Sequence, residues 1–376
     1  FDPATGLILM AGVYYGAVFG GSTSSILLNA PGVPGTVATS FDGYPMAQQG
    51  KAGKALAIAA WSSFAGGTLA SIYLLFLAPS LSKVSLSFRS PDYFALMILG
   101  LTAIAAFSSK GQFIKAMMMV VLGLMLASVG QDSLSDITRF TFNTMNLTDG
   151  ISFVLVVMAT FAMSEALTII LKRNDPTAAA RQVSLTELGS IKINKEERTK
   201  MLKTIPRNSI IGFLIGVLPG AGATIASFLA YGMERNLVSD EEKEKFGKGS
   251  VHGLAAPETA NNAACSGAFV PLLTLGIPGS GTTAVMLGAL LGFGIQPGPR
   301  LYVTNPEIFW SVIMSMYIGM VILLILNLPL IPYIARILAI PKNYLIPLIL
   351  FFSITGIYVM SFNNFDIYLM IGIAVV

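Results

Sequence analysis

One histidine and one cysteine in 376 residues leave this chain little material for metal or redox chemistry. The single Cys265 lies in an apolar context, which excludes a disulfide framework and a thiolate metal cluster. No His/Glu or Cys spacing typical of a metal site occurs. A serine hydrolase needs a histidine within reach of its nucleophile. Gly279-Ser280-Gly281 supplies a serine, but His252, the only imidazole, reads as part of a polar loop. Gly220-Ala-Gly222 lacks the Lys-Ser/Thr that completes a phosphate-binding P-loop. Charge is scarce as well: 11% of residues carry it, against about 25% in ordinary soluble chains. These absences argue against an enzyme, and the last against a soluble domain.

What fills the chain instead is apolar: 54% of residues are hydrophobic, the composition of a polytopic membrane protein. Formal net charge is +4. The largest basic concentration runs from Lys172 to Arg207, with nine Lys/Arg against four Asp/Glu. The positive-inside rule puts that stretch in the cytoplasm. Apolar segments are expected at Leu7–Leu28, Ala55–Pro79, Tyr93–Phe107, Phe113–Val129 and Ile151–Leu171, then at Ile210–Tyr231, Ile308–Ile340 (kinked at Pro329 and Pro332) and Tyr344–Met360. Thr36–Lys54 and Gln131–Asp149 read as polar and turn-rich, and Glu234–Lys248 as a charged helical surface stretch. Phe1-Asp-Pro opens without a methionine and Ile367–Val376 is short of the ~20 residues a span requires, so both ends are expected to be clipped. The resulting division is a first transmembrane half over 1–171, a basic linker over 172–206 and a second half over 207–376.

The stretch Ala256–Gly298 organises the rest. Its apolar run is broken by Pro278-Gly279-Ser280-Gly281 and resumes at Thr282. Unwound backbone at membrane depth is tolerated where it is buried in protein or lines a cavity. The first half repeats it: Pro31-Gly32 lies 247 positions before Pro278-Gly279, and the same offset relates Gly20 to Gly267, Gly16 to Ala263 and Thr36 to Thr283. Pro91-Asp-Tyr93 and Pro341-Lys-Asn-Tyr344 match at nearly that offset. Interrupted helices at corresponding positions of two halves point to a transporter binding site. A further break is expected at Leu218-Pro-Gly-Ala-Gly222. The fold class is therefore an all-α polytopic membrane protein of two repeat halves, taken as inverted, with broken or re-entrant helices at a central site.

Several long motifs resemble the large membrane subunit of the tripartite tricarboxylate transporters. They are Gly216-Val-Leu-Pro-Gly-Ala-Gly-Ala-Thr-Ile-Ala-Ser-Phe228, His252-Gly-x-Ala-Ala-Pro-Glu-Thr-Ala-Asn-Asn262, Leu275-Gly-Ile-Pro-Gly-Ser280, Tyr14-Tyr-Gly-x-x-x-Gly-Gly-Ser22 and Asp42-Gly-Tyr-Pro45. The family pattern has a further Gly/Pro segment before the first half that this chain lacks. The resemblance implies a multi-pass permease of the bacterial inner membrane, working with a small membrane subunit and a periplasmic solute-binding protein. It further implies carboxylate substrates such as citrate and a cation gradient, usually sodium, as the driving force. No cofactor or nucleic-acid partner is expected. A proton in place of sodium, and a passive anion channel in place of a symporter, are the other readings.

A carboxylate brought to mid-membrane must exchange its water for other donors. Asn261 and Asn262 offer amides, and Ser22, Thr23, Ser280, Thr282 and Thr283 offer hydroxyls. Helices restarting at Thr36 and Thr282 direct free N–H groups toward the breaks at Asn29-Ala-Pro31-Gly32 and Pro278-Gly279-Ser280-Gly281. No Arg or Lys interrupts Ala256–Pro299, so the counter-charge is assigned to a cation held by carbonyls around Asn29, Gly32, Gly276 and Gly279. Glu258, beside Pro257, is read as favouring a helix dipole, with proton coupling a weaker role, and Glu165 as snorkelling to the interface.

Overall fold

A computed structural model describes residues 2–29, 31–85, 87, 89, 91–92, 94–95, 98, 113–132, 137–171, 189–219, 222–334 and 342–375. Helices α1 (Pro3–Leu28), α2 (Val37–Met46) and α3 (Ala52–Ser85) open the chain. They are followed by α4 (Phe113–Ala127), the strands β1 (Gly130–Gln131) and β2 (Thr138–Arg139), α5 (Phe153–Val157) and α6 (Ser164–Leu171). The second half contributes α7 (Lys195–Val217), α8 (Gly222–Leu237), α9 (Asp240–Lys243), α10 (Val251–Leu275), α11 (Gly281–Gly292) and α12 (Leu301–Thr304). It continues with α13 (Pro306–Asn327), α14 (Ile331–Ile334), α15 (Lys342–Ser361) and α16 (Asn364–Val375). Among the described residues, three stretches, Pro3–Leu27, Pro34–Val84 and Pro306–Asn327, are long and apolar enough to cross a membrane.

The chain forms two compact units, each drawing on both halves of the sequence. The first joins Phe1–Leu96 to Ala179–Ile340, and the second joins Met97–Ala178 to Pro341–Val376. Met97 and Pro341 lie 244 positions apart, close to the offset of the sequence repeat. In the second unit, Leu155, Ala159 and Met163 pack with Ile357 of α15 and Met370 of α16, and β1 pairs antiparallel with β2. Helix α4, shorter than a full span, presents Ile114, Met118, Met119 and Met125, all exposed.

The axis of the first unit is α10, whose residues from His252 to Thr274 are all buried. A helix buried on every side in lipid needs small residues so that neighbours can approach. Here Gly212 and Gly216 of α7 lie directly against the backbones of Ala260 and Ala264, so that a methyl group at either glycine would overlap a carbonyl oxygen. On the opposite side, a Cβ at Gly66 of α3 would stand 2.9 Å from Thr259 Cα. Larger side chains then fill the space around this close-packed centre: Phe19, Phe269, Phe309, Met316 and Met320 form one core, and Ile26, Leu27, Met46, Leu254 and Met201 another.

Several sequence expectations are changed. Thr36–Lys54 is helical rather than turn-rich: α2 runs through Pro45 and continues through a π-helical turn into α3 with a kink at Gly50, φ 75°. Asp42 explains why. Its buried carboxylate accepts N–H groups of Gly247 (2.9 Å), Gly249 (2.9 Å) and Ser250 (2.7 Å) and the hydroxyl of Tyr231 (3.0 Å). It thus ties α2 to the loop that starts α10. The basic stretch, read as a solvated segment with at most one helix, contains the start of one: Asn194 and Glu197 form a capping box that opens α7 at Lys195. The break at Leu218 is present between α7 and α8, and the kink near Pro329 separates α13 from α14. The expected span Tyr93–Phe107 falls mostly outside the described residues, as do residues 172–188 of the linker. The side chain of Glu165 is also outside them.

Candidate functional site

Each break is a helical hairpin, and the two have the same construction. Helix α1 ends with Asn29 in the left-handed conformation (φ 51°, ψ 30°), its N–H bonded to the Ser24 carbonyl. Helix α10 ends with Gly276 in that conformation (φ 71°, ψ 25°), its N–H bonded back to Leu272 and Pro271. The positions are 247 apart. The restarts match as well. Thr36 donates its hydroxyl to the Val33 carbonyl at 2.9 Å, and Thr283 donates to the Ser280 carbonyl at 2.9 Å. At the turn, a Cβ on Gly32 would stand 2.9 Å from Gly21 Cα, and one on Gly279 would stand 3.1 Å from Ala268 Cα. Every member of these three pairs obeys the 247-residue offset. The sequence repeat is therefore a repeat of backbone geometry, with the glycines fixed by close approach of each loop to its own incoming helix.

The hairpins are also cross-linked in a reciprocal way. Ser280, at the tip of the second, donates its hydroxyl to the Tyr14 hydroxyl of α1 at 3.1 Å. Asn261 of α10 donates its amide to the Gly35 carbonyl of the first hairpin at 3.2 Å. Tyr14 and Asn261 are themselves 247 positions apart. Each incoming helix thus holds the loop of the other hairpin. Among the described residues no hydrogen bond joins tip to tip.

The description "Tripartite tricarboxylate transporter TctA family" matches residues 1–376. The chain belongs to the TctA family. A relative from Agrobacterium vitis, "Uncharacterized 52.8 kDa protein in TAR-I ttuC' 3'region", is 43% identical over 371 residues, covering 99% of this chain and 72% of its own. A second, "Uncharacterized protein in TAR-II ttuC' 3'region" of the same organism, is 46% identical over 160 residues, covering 43% of this chain and 65% of its own. No solved structure matches. TctA is a transporter family, not an enzymatic one.

In this TctA-family chain the residues singled out from sequence fall into two groups. Asn29, Pro31 and Gly32 are exposed at the first tip, Thr282 is exposed at the second, and Pro278, Ser280 and Gly281 are half-buried beside it. These are open to a ligand. Ser22, Thr36 and Thr283 are buried and donate to carbonyls of their own hairpins, Ser22 to Phe19 at 2.8 Å. Ser25 donates to Thr36 at 2.9 Å. These hydroxyls build the loops. Thr23 and Gly279 are buried in the same hairpins, and half-buried Gly276 forms the second cap.

Asn261 and Asn262 differ from the expectation in chemistry. Both are fully buried, and their amide donors are already committed. Asn262 donates to Asn261 Oδ1 at 2.7 Å and to the Glu258 carbonyl at 3.0 Å. What remains free is an acceptor: Asn262 Oδ1 is buried without a hydrogen-bond partner. Glu258 is not in a first helical turn, since α10 begins at Val251. Its carboxylate accepts the hydroxyls of Thr39 of α2 and Ser63 of α3, the latter at 2.6 Å. Thr39 and Ser63 carried no signal in the sequence, whereas Tyr14 stood inside a quoted motif.

Beyond the hairpins, α10 starts against a buried ion-pair cluster. Arg207 donates to Glu234 Oε2 at 2.8 Å and to Oε1 at 2.5 Å. Thr204 (2.9 Å) and Asn208 (3.0 Å) donate to the same carboxylate, and His252 Nδ1 lies 3.0 Å from it. Burial pushes the Glu234 carboxyl up, but bonds from His252, Arg207, Asn208 and Thr204 outweigh it and hold the group down at about 2. His252 is therefore a buried helical residue rather than part of a polar loop. It is engaged with Glu234 and Thr204, while Ser280 is engaged with Tyr14 and Thr283. The two do not form a nucleophile–base pair.

Proposed function

We propose that this chain is the large permease subunit of a binding-protein-dependent secondary transporter that imports tricarboxylates or dicarboxylates such as citrate. A cation gradient, sodium in the first instance, drives uptake by alternating access. The observation that carries this reading is the pair of equivalent hairpins, cross-held by Tyr14 and Asn261 within one compact unit. Repeated interrupted helices are how transporters place polar backbone at mid-membrane. The exposed tip residues Asn29, Pro31, Gly32 and Thr282 meet the carboxylate, with free N–H groups of the restarting helices as donors. The membrane is the bacterial inner membrane, the basic stretch around Lys172–Lys203 faces the cytoplasm, and the partners are a small membrane subunit and a periplasmic solute-binding protein.

The test is uptake of labelled carboxylates into proteoliposomes containing the full-length permease, its small subunit and its binding protein. Sodium gradients, proton gradients and no gradient are compared. Binding-protein-dependent accumulation under one gradient is expected. Flux at the same rate without any gradient would replace the symporter with a channel, and absence of flux for every carboxylate would remove the substrate class.

A further inference from the structure

The most deeply buried polar cluster outside the hairpin tips surrounds Glu258. Its carboxyl oxygens receive the hydroxyls of Thr39 and Ser63. Glu258, Thr39, Ser63, Asn261 and Asn262 are all fully buried. All the partners in these bonds are neutral. Among the described residues no Lys, Arg or His is paired with Glu258. Several charged groups on the elements packed around it are engaged elsewhere. Asp42 on α2 is bonded to the loop before α10, and Lys54 on α3 pairs with Glu197 of α7. On α8 and α10, Glu234 and His252 belong to the Arg207 cluster. Tyr14 and Cys265, two further titratable groups of the neighbouring helices, are bonded neither to it nor to its partners Thr39 and Ser63.

An isolated carboxylate inside a membrane protein is costly and ordinarily finds a positive partner. Here the neighbourhood offers oxygen instead. Asn262 Oδ1, one helical turn from Glu258, is buried with no partner, and so is Ser62 Oγ, next to Ser63. The orientation of Asn262 is fixed, because turning the amide over would set its oxygen against the Glu258 carbonyl and Asn261 Oδ1. One carboxylate with several neutral oxygens is the ligand set of a hard cation of low charge.

We propose that Glu258 is a cation site that takes up one positive charge, as sodium or as a proton, with Thr39, Ser63 and Asn262 completing it. The site lies apart from the hairpin carbonyls assigned to the cation from sequence. Thr39 belongs to the outgoing arm of the first hairpin, and Asn261 holds that hairpin through Gly35. Filling the site therefore acts on the loop that meets the substrate. As the seat of the coupling charge it rests on the permease reading; as a cation site it stands without it.

The experiment uses purified full-length permease in detergent and follows thermal unfolding. One arm exchanges choline for sodium at constant ionic strength and pH 8. The other varies pH between about 5.5 and 8.5 in choline. A ligand that binds the folded state alone raises the midpoint, so the midpoint is expected to rise with sodium or with acid, and the responsive arm identifies the ion. Glu258→Gln, which keeps size and hydrogen-bonding capacity, is expected to abolish the response. Thr39→Val, which removes one oxygen ligand and keeps the shape, is expected to raise the half-saturating sodium concentration about tenfold where sodium is the responsive ion. A midpoint indifferent to both cations, or an unchanged response in both variants, would overturn the proposal. Wild-type protein that responds but imports no carboxylate would instead overturn the transporter reading and leave the site standing.

Discussion

The equivalence of the two hairpins makes unequal demands on the residues that cap them. Gly276 sits at φ 71° and ψ 25°, where a side chain beyond Cα costs roughly 1–2 kcal/mol. An added Cβ would also stand 2.8 Å from the Pro297 carbonyl oxygen, with Pro297 C at 3.3 Å. Backbone cannot yield as a side-chain end can, so forced displacement adds about 1–2 kcal/mol. Gly276→Ala is therefore expected to lose about 2–4 kcal/mol. Asn29 occupies the corresponding position at φ 51° and is exposed. Asn29→Gly relieves the left-handed strain while adding freedom to the unfolded chain, and a net change below about 1 kcal/mol is expected. The assay is thermal unfolding of full-length protein in detergent, read by a thiol-reactive dye. Cys265 is buried and is the single cysteine of the chain, so dye reacts as α10 opens. A clearly lowered midpoint for Gly276→Ala beside a near-unchanged one for Asn29→Gly supports the hairpin geometry. Equal midpoints for wild type and Gly276→Ala would refute it.

Three further outcomes follow from the packing around α10. The Glu234 carboxyl is held at about 2 against an ordinary 4.5. A depressed carboxyl contributes stability that is fully present above the unfolded value and is lost as pH falls through about 4.5 toward 2. Glu234→Gln should therefore flatten the acid limb of the stability–pH curve, measured by the same dye method. Arg207→Ala leaves that buried carboxylate without its bidentate partner and should cost about 3 kcal/mol, the lower end for a buried pair because the arginine itself is partly exposed. Gly212→Val and Gly216→Val would drive a side chain into the backbones of Ala260 and Ala264. Both should yield little folded protein by size-exclusion profile, whereas Gly232→Ala, with open space around it, should behave as wild type.

Much of this arrangement was legible because it is written in backbone chemistry. Pro31-Gly32 and Pro278-Gly279 announce breaks wherever they stand, and their common offset of 247 located both hairpins. Side-chain partnerships were not legible, because they join positions far apart in the chain. Asp42-Gly-Tyr-Pro45 has the composition of a turn, yet three N–H groups from Gly247–Ser250 make it helical. His252 sits among polar neighbours in sequence, yet Glu234 and Thr204 draw it into the interior. Asn261 and Asn262 read in sequence as amide donors to a substrate, but whether an amide offers its donor or its acceptor depends on neighbours that only the fold supplies. Glu258 owes its position to Thr39 and Ser63, residues of types so common in membrane helices that neither draws notice.

The central claim is that both hairpin tips face one carboxylate. The most direct measurement is maleimide labelling of single cysteines placed at the exposed tips, Asn29→Cys and Thr282→Cys, in a Cys265→Ser background. Labelling is followed with and without citrate and other carboxylates, in sodium or in choline, with the exposed Leu237→Cys on α8 as the control. One carboxylate should slow labelling at both tips together and leave the control unchanged. Protection at one tip only, or equal labelling at every position for every carboxylate, would contradict a shared site.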